Sequence, residues 1–292
     1  MGFLFMNIQK ILVTGSSGTI GTRLCEMLKQ KGHLVFGVDK HPNKYVPGVT
    51  THVVDLLSQA SYQKLPKDVD LIVHLAANAR VYDSVINPSL AIENLQMMTG
   101  ILEFCRTSKI PRFIFASSRE VYGEQIAVLV SEDMARLEGS ESPYTASKAA
   151  GEALTHAYAR CYGIQSVIVR FSNVYGRYDE SNRLVPLFVR KTLAGEDLTI
   201  FGAKKTYDFT YVDDACAGVI AIIEKFTMAS GKTYNIATGI GTSLHDVALR
   251  IQSFLEVSKP IHIKDNRVGE LMHYVADISK ARTVLGYEPL VS

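Results

Sequence analysis

The 292-residue sequence predicts an α/β protein with a doubly wound parallel sheet and a smaller C-terminal α/β lobe. Apolar runs typical of buried strands alternate with segments of helical period as far as Tyr175. Such alternation favours right-handed crossovers between parallel strands. After that residue the alternation loosens. We therefore expect residues 1–175 to form the larger domain and residues 176–292 to form mainly a smaller lobe that closes over it.

The expected elements follow from these patterns. Strands of the larger domain are predicted at residues 11–14, 34–38, 50–54, 70–75, 112–117 and 165–170. Helices are predicted between them, notably at residues 22–31, 89–107 and 143–162. In the smaller lobe, strands are predicted near 198–201, 208–212, 233–236 and 261–263, with helices near 184–194, 213–225 and 243–255. No proline- or glycine-rich linker separates the two parts, so they are expected to share one interface.

A glycine-rich turn joins the first strand to the first helix. Gly15, Gly18 and Gly21 follow the apolar run Ile11–Thr14. In a dinucleotide site, the first glycine permits a tight turn, the second lets the backbone approach pyrophosphate, and the third lets helix pack on strand. The helix N-terminus adds free N–H groups and partial positive charge. The spacing G-x-x-G-x-x-G leaves an ordinary glycine loop as the alternative, but the strand–turn–helix context favours a Rossmann-type cofactor domain.

Acidic residues end the next two strands. Asp39 lies 18 residues after Gly21. A carboxylate there accepts the ribose hydroxyls and repels a 2′-phosphate, so NAD is predicted rather than NADP. Lys40 and His41 soften this preference without reversing it. Asp55, after the third strand, is predicted to meet the adenine edge, with a plain strand-end cap as its alternative.

A tyrosine and a lysine four residues apart point to chemistry. Ser142-Pro143 is typical of a helix start, so Tyr144 falls in the first turn with Lys148 on the same face. An ammonium beside a phenol lowers the phenol's pKa. Such a tyrosine can remove a proton from an alcohol while hydride leaves the carbon. Taken alone, the spacing favours two solvent-exposed side chains on one helix. Taken with the glycine turn, it favours a catalytic role for Tyr144 and Lys148.

Composition argues against several other functions. The net charge of +2 gives no reason to expect nucleic-acid or membrane binding. Neither the four cysteines nor the eight histidines have metal-site spacing, so no metal is predicted. The cysteines are expected to be reduced core residues of a cytoplasmic protein. Residues 3–6 are apolar but too few for a signal peptide or a membrane span.

In order and spacing, the motifs of nearly the whole chain resemble the extended short-chain dehydrogenase/reductase family, and within it the nucleotide-sugar epimerase/dehydratase group. Each motif alone is weak evidence for the family, but all of them in this order and spacing are strong evidence. The motifs are Gly15-x-x-Gly18-x-x-Gly21, Asp39, Asp55-Leu56, His74–Ala77, Asn94, Ala116–Gly123, Tyr144-x-x-x-Lys148, Arg170–Gly176, Asp208–Asp214 and Arg267–Glu270.

The resemblance implies that tightly bound NAD takes hydride from a sugar carbon while Tyr144 takes the hydroxyl proton. Ser118, rather than Ser117, falls where the family places its catalytic Ser or Thr and would steady that oxygen. A local backbone bond is the alternative for Ser118. Lys148 would bind the nicotinamide ribose and keep Tyr144 acidic. The residues implied for NAD are Gly15, Gly18, Thr19, Ile20, Gly21, Asp39, Lys40, Asp55, Leu56, Leu75, Ala76, Ala77, Asn94, Tyr144, Lys148 and Phe171.

Glu120 separates the possible reactions. Dehydratases and decarboxylases of this group carry a glutamate at the matching place. The dehydratase pattern has an aspartate just before it, where this sequence has Arg119, which cannot donate a proton at neutral pH. The decarboxylase pattern has an arginine two residues before Phe209, where this sequence has Tyr207. Both departures favour 4-epimerisation through a transient 4-keto sugar. Glu120 would then be structural, paired with Arg119, Arg80 or a backbone amide.

The implied substrate is a nucleotide diphosphate sugar, with uridine diphosphate as the expected carrier. Many members have a diphosphate-binding arginine where this sequence has Tyr207, so other cations must compensate. Arg267 and Arg177 are the candidates, with solvated surface charges as the alternative. Tyr82 is expected to face the sugar, whose identity stays open among hexoses, N-acetylhexosamines and hexuronates. The residues implied for the substrate are Arg80, Ser118, Glu120, Asn173, Arg177, Tyr207 and Arg267.

Three further expectations follow from the resemblance. Helices 89–107 and 143–162 lie where the family pairs subunits, so a homodimer is expected. Relatives continue with a helix beyond residues 286–289, so the C-terminus is either truncated or lacks that helix. A non-catalytic regulator that binds NAD is the remaining functional class. Such proteins commonly lose the catalytic Tyr/Lys pair or the catalytic Ser/Thr, whereas this sequence keeps Ser118, Tyr144 and Lys148.

Overall fold

The computed structural model describes residues 8–125, 128–202 and 204–291, and the apolar residues 3–6 lie outside this part. The strands of the described residues are β1 (Lys10–Thr14), β2 (Leu34–Asp39), β3 (Thr50–Val53), β4 (Leu71–His74), β5 (Arg112–Ser118), β6 (Gln165–Phe171), β7 (Asn173–Tyr175), β8 (Leu198–Phe201), β9 (Thr206–Tyr211), β10 (Thr233–Ile236), β11 (Gly241–Ser243), β12 (Ile261–Lys264) and β13 (His273–Tyr274). The helices are α1 (Thr19–Gln30), α2 (Val81–Ile86), α3 (Ser89–Thr107), α4 (Pro143–Tyr162), α5 (Leu184–Leu193), α6 (Val212–Glu224), α7 (Phe226–Ala229) and α8 (Leu244–Phe254).

Seven strands form one parallel sheet in the order β3-β2-β1-β4-β5-β6-β10. Apolar side chains alternate between its two faces, so that Ile11 and Val13 belong to one buried cluster and Leu12 to another. Residues of α1 and α6 complete the first cluster, and residues of α3 complete the second. The sheet is therefore doubly wound, and the predicted α/β Rossmann-type fold is confirmed.

The predicted helix α4 shows how local sequence sets an element's ends. The Ser142 hydroxyl accepts from the Thr145 amide at 3.1 Å, and Pro143 occupies the first turn. Gly163 ends the helix with φ of 73°, a left-handed conformation that favours glycine. Helix α1 instead begins three residues earlier than predicted, because Gly18 of the glycine turn is its N-cap.

The C-terminal part does not form a separate lobe throughout. Strand β10, predicted at 233–236 for the smaller lobe, pairs with β6 at the edge of the large sheet. Helix α6 packs against α1, where Asp213 accepts two hydrogen bonds from Arg23, each 2.8 Å long. The remaining strands form two smaller sheets, one of β11, β9, β13 and β7 and one of β8 and β12. A functional boundary at residue 175 stays a prediction.

The structure also bears on the expectations drawn from the cysteines, the metal-binding residue types and the hydrophobic segments. Cys25, Cys105 and Cys216 are buried, whereas Cys161 is exposed, which contradicts the expectation that all four lie in the core. Among the described residues, no group of three or more His, Cys, Asp or Glu could hold a metal ion. None of the described helices combines the length and apolar character needed to cross a membrane.

Candidate active site

A cavity of about 900 Å³ lies at the carboxyl ends of the large sheet's strands. Strand order reverses between β1 and β4, which is where open α/β sheets bind ligands. Most residues predicted for the cofactor and substrate line this one cavity. They are Gly15, Gly18, Thr19, Ile20, Gly21, Asp39, Lys40, Asp55, Leu56, Leu75, Ala76, Ala77, Arg80, Ser118, Glu120, Tyr144, Lys148, Phe171, Asn173, Tyr207 and Arg267.

Two predicted residues do not line the cavity. The Asn94 side chain instead supports the loop after β4, since its oxygen accepts from the Asn78 amide at 2.7 Å and its nitrogen donates to the Asn78 carbonyl at 3.2 Å. Arg177 is exposed on the loop after β7 and lies outside the cavity wall. Asn94 is therefore a support for the cofactor wall, and Arg177 is not placed to bind phosphate.

The glycine turn has the shape that a dinucleotide requires. Gly15 has φ of +70°, and a Cβ there would lie 2.8 Å from the Ala76 nitrogen. A Cβ on Gly21 would lie 2.0 Å from the Gly15 carbonyl oxygen. At Gly18 an added Cβ would meet only that oxygen, at 3.4 Å, so this backbone faces the cavity. Gly18 caps α1 with no side-chain bond to its first turn, which leaves N–H groups for an anion.

The carboxylate of Asp39 is fixed at the end of β2. Its oxygens accept from the amides of Ser17 and His41, each at 3.0 Å. Each carboxylate oxygen has a further lone pair, so the group can still accept ribose hydroxyls. Asp55 accepts from the Leu57 amide at 2.9 Å, so the strand-end cap is present even though the residue also lines the cavity. This donor and acceptor set fits NAD.

Ser118, Tyr144 and Lys148 all line this cavity. Ser118 ends β5, and its hydroxyl oxygen accepts from the Glu120 amide at 3.2 Å, which leaves its proton for another acceptor. Lys148 donates from Nζ to the Ala116 carbonyl at 2.7 Å, and that nitrogen lies 5.8 Å from the Tyr144 ring centroid. Ser117 is occupied elsewhere, because it donates to Glu152 at 2.6 Å. The choice of Ser118 over Ser117 agrees with this geometry.

Burial dominates the ionisation of the tyrosine and the lysine. It raises the pKa of Tyr144 above its ordinary value, against the Arg183 guanidinium and the neighbouring Ser118 hydroxyl, which both lower it. The Tyr144 pKa therefore lies above its ordinary value rather than below it as predicted, and Lys148 Nζ is directed to the Ala116 carbonyl. Burial also lowers the pKa of Lys148 to about 8, and Glu152 opposes that shift.

Glu120 is paired with the residue beside it. Its Oε1 lies 2.9 Å from Arg119 Nη2, and both side chains are more than nine-tenths buried. Of the three partners expected for Glu120, the structure therefore selects Arg119, whereas Arg80 pairs with Asp83 at 3.3 Å. Burial raises the pKa of Glu120, and the Arg119 charge opposes that rise. Within the described residues, Glu120 Oε2 and Arg119 Nη1 have no hydrogen-bond partner.

The C-terminal segments contribute a further cation, Arg267, and the Tyr207 ring to the cavity wall. The Arg267 guanidinium carbon lies 3.8 Å from the Phe201 ring centroid and 4.9 Å from that of Tyr82. Both rings line the cavity, so Arg267 faces it rather than bulk solvent. The Tyr207 hydroxyl donates to the Leu271 carbonyl, which turns that hydroxyl away from any ligand. Tyr207 thus contributes its ring, and not its hydroxyl, to the wall.

Lys205, Glu270 and Arg183 are charged cavity residues that the sequence analysis missed. Lys205 and Glu270 pair with each other at 2.5 Å, and Arg183 begins α5 opposite Tyr144. Strand alternation could have found Lys205, since it lies two residues before Tyr207 and so shares its face. Glu270 belongs to a motif that the sequence had already marked. No local pattern marks Arg183, because it follows an irregular loop.

The family model described as the NAD dependent epimerase/dehydratase family matches residues 11–237. The chain belongs to this family. It is 36% identical to "Uncharacterized UDP-glucose epimerase YtcB" of Bacillus subtilis, covering 97% of this chain and 94% of that relative. It is 31% identical to a UDP-N-acetyl-alpha-D-glucosaminuronate decarboxylase of Bacillus cytotoxicus, over 97% and 94% of the two chains. Its fold matches a UDP-glucuronic acid 4-epimerase from Bacillus cereus, solved with UDP-glucuronic acid and NAD, with a TM-score of 0.90, 32% identity and coverage of 97% and 95%.

Proposed function

We propose that the protein is an NAD-dependent 4-epimerase of a UDP-linked hexose or hexuronate, acting through a transient 4-keto sugar. The observation that carries this proposal is the meeting of Ser118, Tyr144 and Lys148 in the cavity that the glycine turn and Asp39 also line. Relatives that the chain resembles include a UDP-glucuronic acid 4-epimerase, whose structure holds that sugar nucleotide and NAD.

The glycine turn would hold the pyrophosphate of NAD, and Asp39 the adenosine ribose. When bound, NAD supplies a site that accepts a hydride and returns it. The Tyr144 phenolate takes the proton of the sugar 4-hydroxyl, becomes the phenol, and returns the proton when the alcohol is re-formed. Ser118 donates its hydroxyl proton toward the same oxygen, because its own acceptor position is used by the Glu120 amide. Lys148 carries a positive charge below about pH 8, and this charge favours the Tyr144 phenolate that must be present before that proton moves.

The ion pair between Glu120 and Arg119 favours epimerisation over dehydration and decarboxylation. In a dehydratase or a decarboxylase Glu120 would be free to exchange protons, but here one oxygen is paired with Arg119. Arg119 cannot serve as the acid for a leaving hydroxyl. Decarboxylation is the second candidate, because Glu120 lines the cavity with a raised pKa and one relative is named as a decarboxylase. A non-catalytic regulator is the third, and the retained catalytic trio opposes it.

A product assay by NMR tests the proposal. The purified protein is incubated with UDP-glucose, UDP-N-acetylglucosamine, UDP-glucuronic acid and thymidine diphosphate glucose, without added reductant. We expect one sugar inverted at C4 with no change of mass. Loss of water or carbon dioxide would move the assignment to dehydratase or decarboxylase. Bound NAD with no turnover of any sugar would support the regulator.

Assembly and location complete the proposal. We infer a homodimer paired through α3 and α4, which already pack against each other within the chain. Ile92 of α3 and Tyr162 of α4 are exposed apolar side chains that a second copy would cover. Size-exclusion chromatography with light scattering would then give a mass twice that of the chain. A cytoplasmic location stays a prediction.

A further inference from the structure

We propose that Lys205, held in place by Glu270, supplies the positive charge for the substrate's diphosphate that position 207 lacks. This inference rests on the proposed function, since it takes a nucleoside diphosphate as the ligand. Position 207 itself cannot supply the charge, because Tyr207 carries none and its hydroxyl donates to the Leu271 carbonyl.

Strand geometry places Lys205 on the cavity. It immediately precedes β9, two residues before Tyr207, and residues two apart on a strand project from the same face. Both side chains line the cavity. On the neighbouring strand β7, Asn173 lines the same wall and is paired in register with Phe209 of β9. Two adjacent strands thus present Lys205 and Asn173 to the same space.

The lysine is built into the wall rather than left in solvent. Its side chain is only 1% exposed. Its stem packs on Gly202, where an added Cβ would lie 2.9 Å from Lys205 Cε. Gly202 has φ of +86°, so the turn before β9 depends on glycine both for its conformation and for the room that the stem occupies. A buried lysine without a ligand or partner would be costly, which makes its surroundings informative.

Those surroundings leave a net positive charge. Lys205 Nζ lies 2.5 Å from Glu270 Oε2, and the other oxygen of Glu270 lies 3.9 Å from Arg267 Nη1. One carboxylate therefore serves two cations, which leaves one unit of positive charge at the cavity wall. Asn173 Nδ2 is buried and has no hydrogen-bond partner among the described residues. Asn173 is in register with Phe209, four residues after Lys205, so the unpaired donor and the surplus positive charge lie on the same wall and together suit an extended anion.

The other cations of the cavity are less suited to this role. Arg119 is paired with Glu120 and stacked on Tyr207. Arg80 is paired with Asp83. Arg183 lies close enough to Tyr144 to lower the pKa of that phenol, which puts it at the site of hydride transfer. Lys205 and Arg267, which share Glu270, remain as the candidate cations of this part of the cavity wall.

Calorimetric titration of the NAD-loaded protein with UDP tests the proposal. The variants are Lys205→Met, the matched control Lys204→Met, and the double variant Lys205→Met with Glu270→Gln. Lys204 is the exposed neighbour and lies outside the cavity. We expect UDP to bind Lys205→Met about 10- to 100-fold more weakly, as for the loss of a charged hydrogen bond, and Lys204→Met within about twofold of wild type. NAD content and the unfolding transition report whether each variant folds.

The double variant separates a phosphate contact from simple neutralisation of Glu270. It removes the repelling carboxylate together with the lysine, and we still expect UDP binding about tenfold weaker than wild type. Wild-type affinity in the double variant would overturn the proposal. An equal loss for uridine, which has no phosphate, would also overturn it, as would a wild-type protein that does not bind UDP. Wild type that binds UDP but inverts no sugar would refute the proposed function and leave this inference standing.

Discussion

The guanidinium carbon of Arg119 lies 4.1 Å from the ring centroid of Tyr207, so the two side chains stack. In the sequence they are distant and separate departures from the family pattern, one bearing on dehydration and the other on decarboxylation. In the structure they form one contact, because a positive guanidinium is attracted to the face of an aromatic ring. The same guanidinium pairs with Glu120. These three residues therefore hold one another in the cavity wall.

Removing the Tyr144 hydroxyl should stop the reaction without displacing the cofactor. We expect Tyr144→Phe to lower kcat at least about 100-fold, since the proton acceptor is lost. NAD should remain bound, because the glycine turn and Asp39 are unchanged. The matched control is Tyr45→Phe, an exposed tyrosine outside the cavity wall. Turnover of Tyr144→Phe at the wild-type rate would sink the catalytic assignment.

Replacing Glu120 with glutamine distinguishes a structural carboxylate from a catalytic one. Glutamine keeps the volume but leaves Arg119 buried without an anionic partner. We expect the free energy of unfolding to fall by about 1–3 kcal/mol, measured in urea. The C4-inverted product should still form. The control is Glu138→Gln, an exposed glutamate. If Glu120→Gln instead abolishes the reaction at unchanged stability, the carboxylate is part of the chemistry.

The buried ammonium of Lys148 should make stability depend on pH. Its pKa in the folded chain is about 8, whereas an unfolded lysine titrates near ~10.4. Between these values the unfolded chain binds more protons, so the stability contributed by this site rises with pH. We expect Lys148→Met to be more stable than wild type by about 2 kcal/mol at pH 7, with the lost Ala116 bond already subtracted.

That advantage should shrink as the pH rises through 8 and reverse above about 10.4, where lysine is neutral in both states and only the loss of the Ala116 bond remains. Urea unfolding of both proteins across this range measures it, and the difference between them isolates Lys148 from other titrating groups. The variant should also be inactive. A stability difference that stays constant from pH 7 to pH 10 would contradict the burial of a charged lysine.

Two alanine substitutions in the glycine turn should separate folding from cofactor binding. Gly15→Ala forces a positive φ on alanine and a contact with the Ala76 backbone, so we expect a loss of about 2–4 kcal/mol of stability. Gly18→Ala meets only one atom at ordinary distance, so its cost should be under about 1 kcal/mol. Its methyl group nevertheless lies where pyrophosphate would approach.

We therefore expect Gly18→Ala to weaken NAD binding while its unfolding transition stays close to that of wild type. Apo-protein unfolding and titration with NAD supply the two measurements. Equal NAD affinity in Gly18→Ala and wild type would show that the cofactor's phosphates do not contact this turn.

Local sequence determined the first six strands of the large sheet, both ends of α3 and α4, the glycine turn and the three residues that we propose to be catalytic. These features depend on side-chain period, on capping residues and on glycine, all of which act over a few neighbouring positions. The short strands β7, β11 and β13 escaped prediction, because two or three residues carry no period.

Only the tertiary structure decided that β10 joins the large sheet and that Arg119 is the partner of Glu120. It also showed that Arg177 lies outside the cavity and that Lys205 lines it. The pKa of Tyr144 moved opposite to the sequence-based expectation, because burial by atoms distant in sequence outweighs the Arg183 charge and the Ser118 hydroxyl that lower it. Pairing, burial and charge balance depend on which segments meet in space, and no pattern within a single segment contains that information.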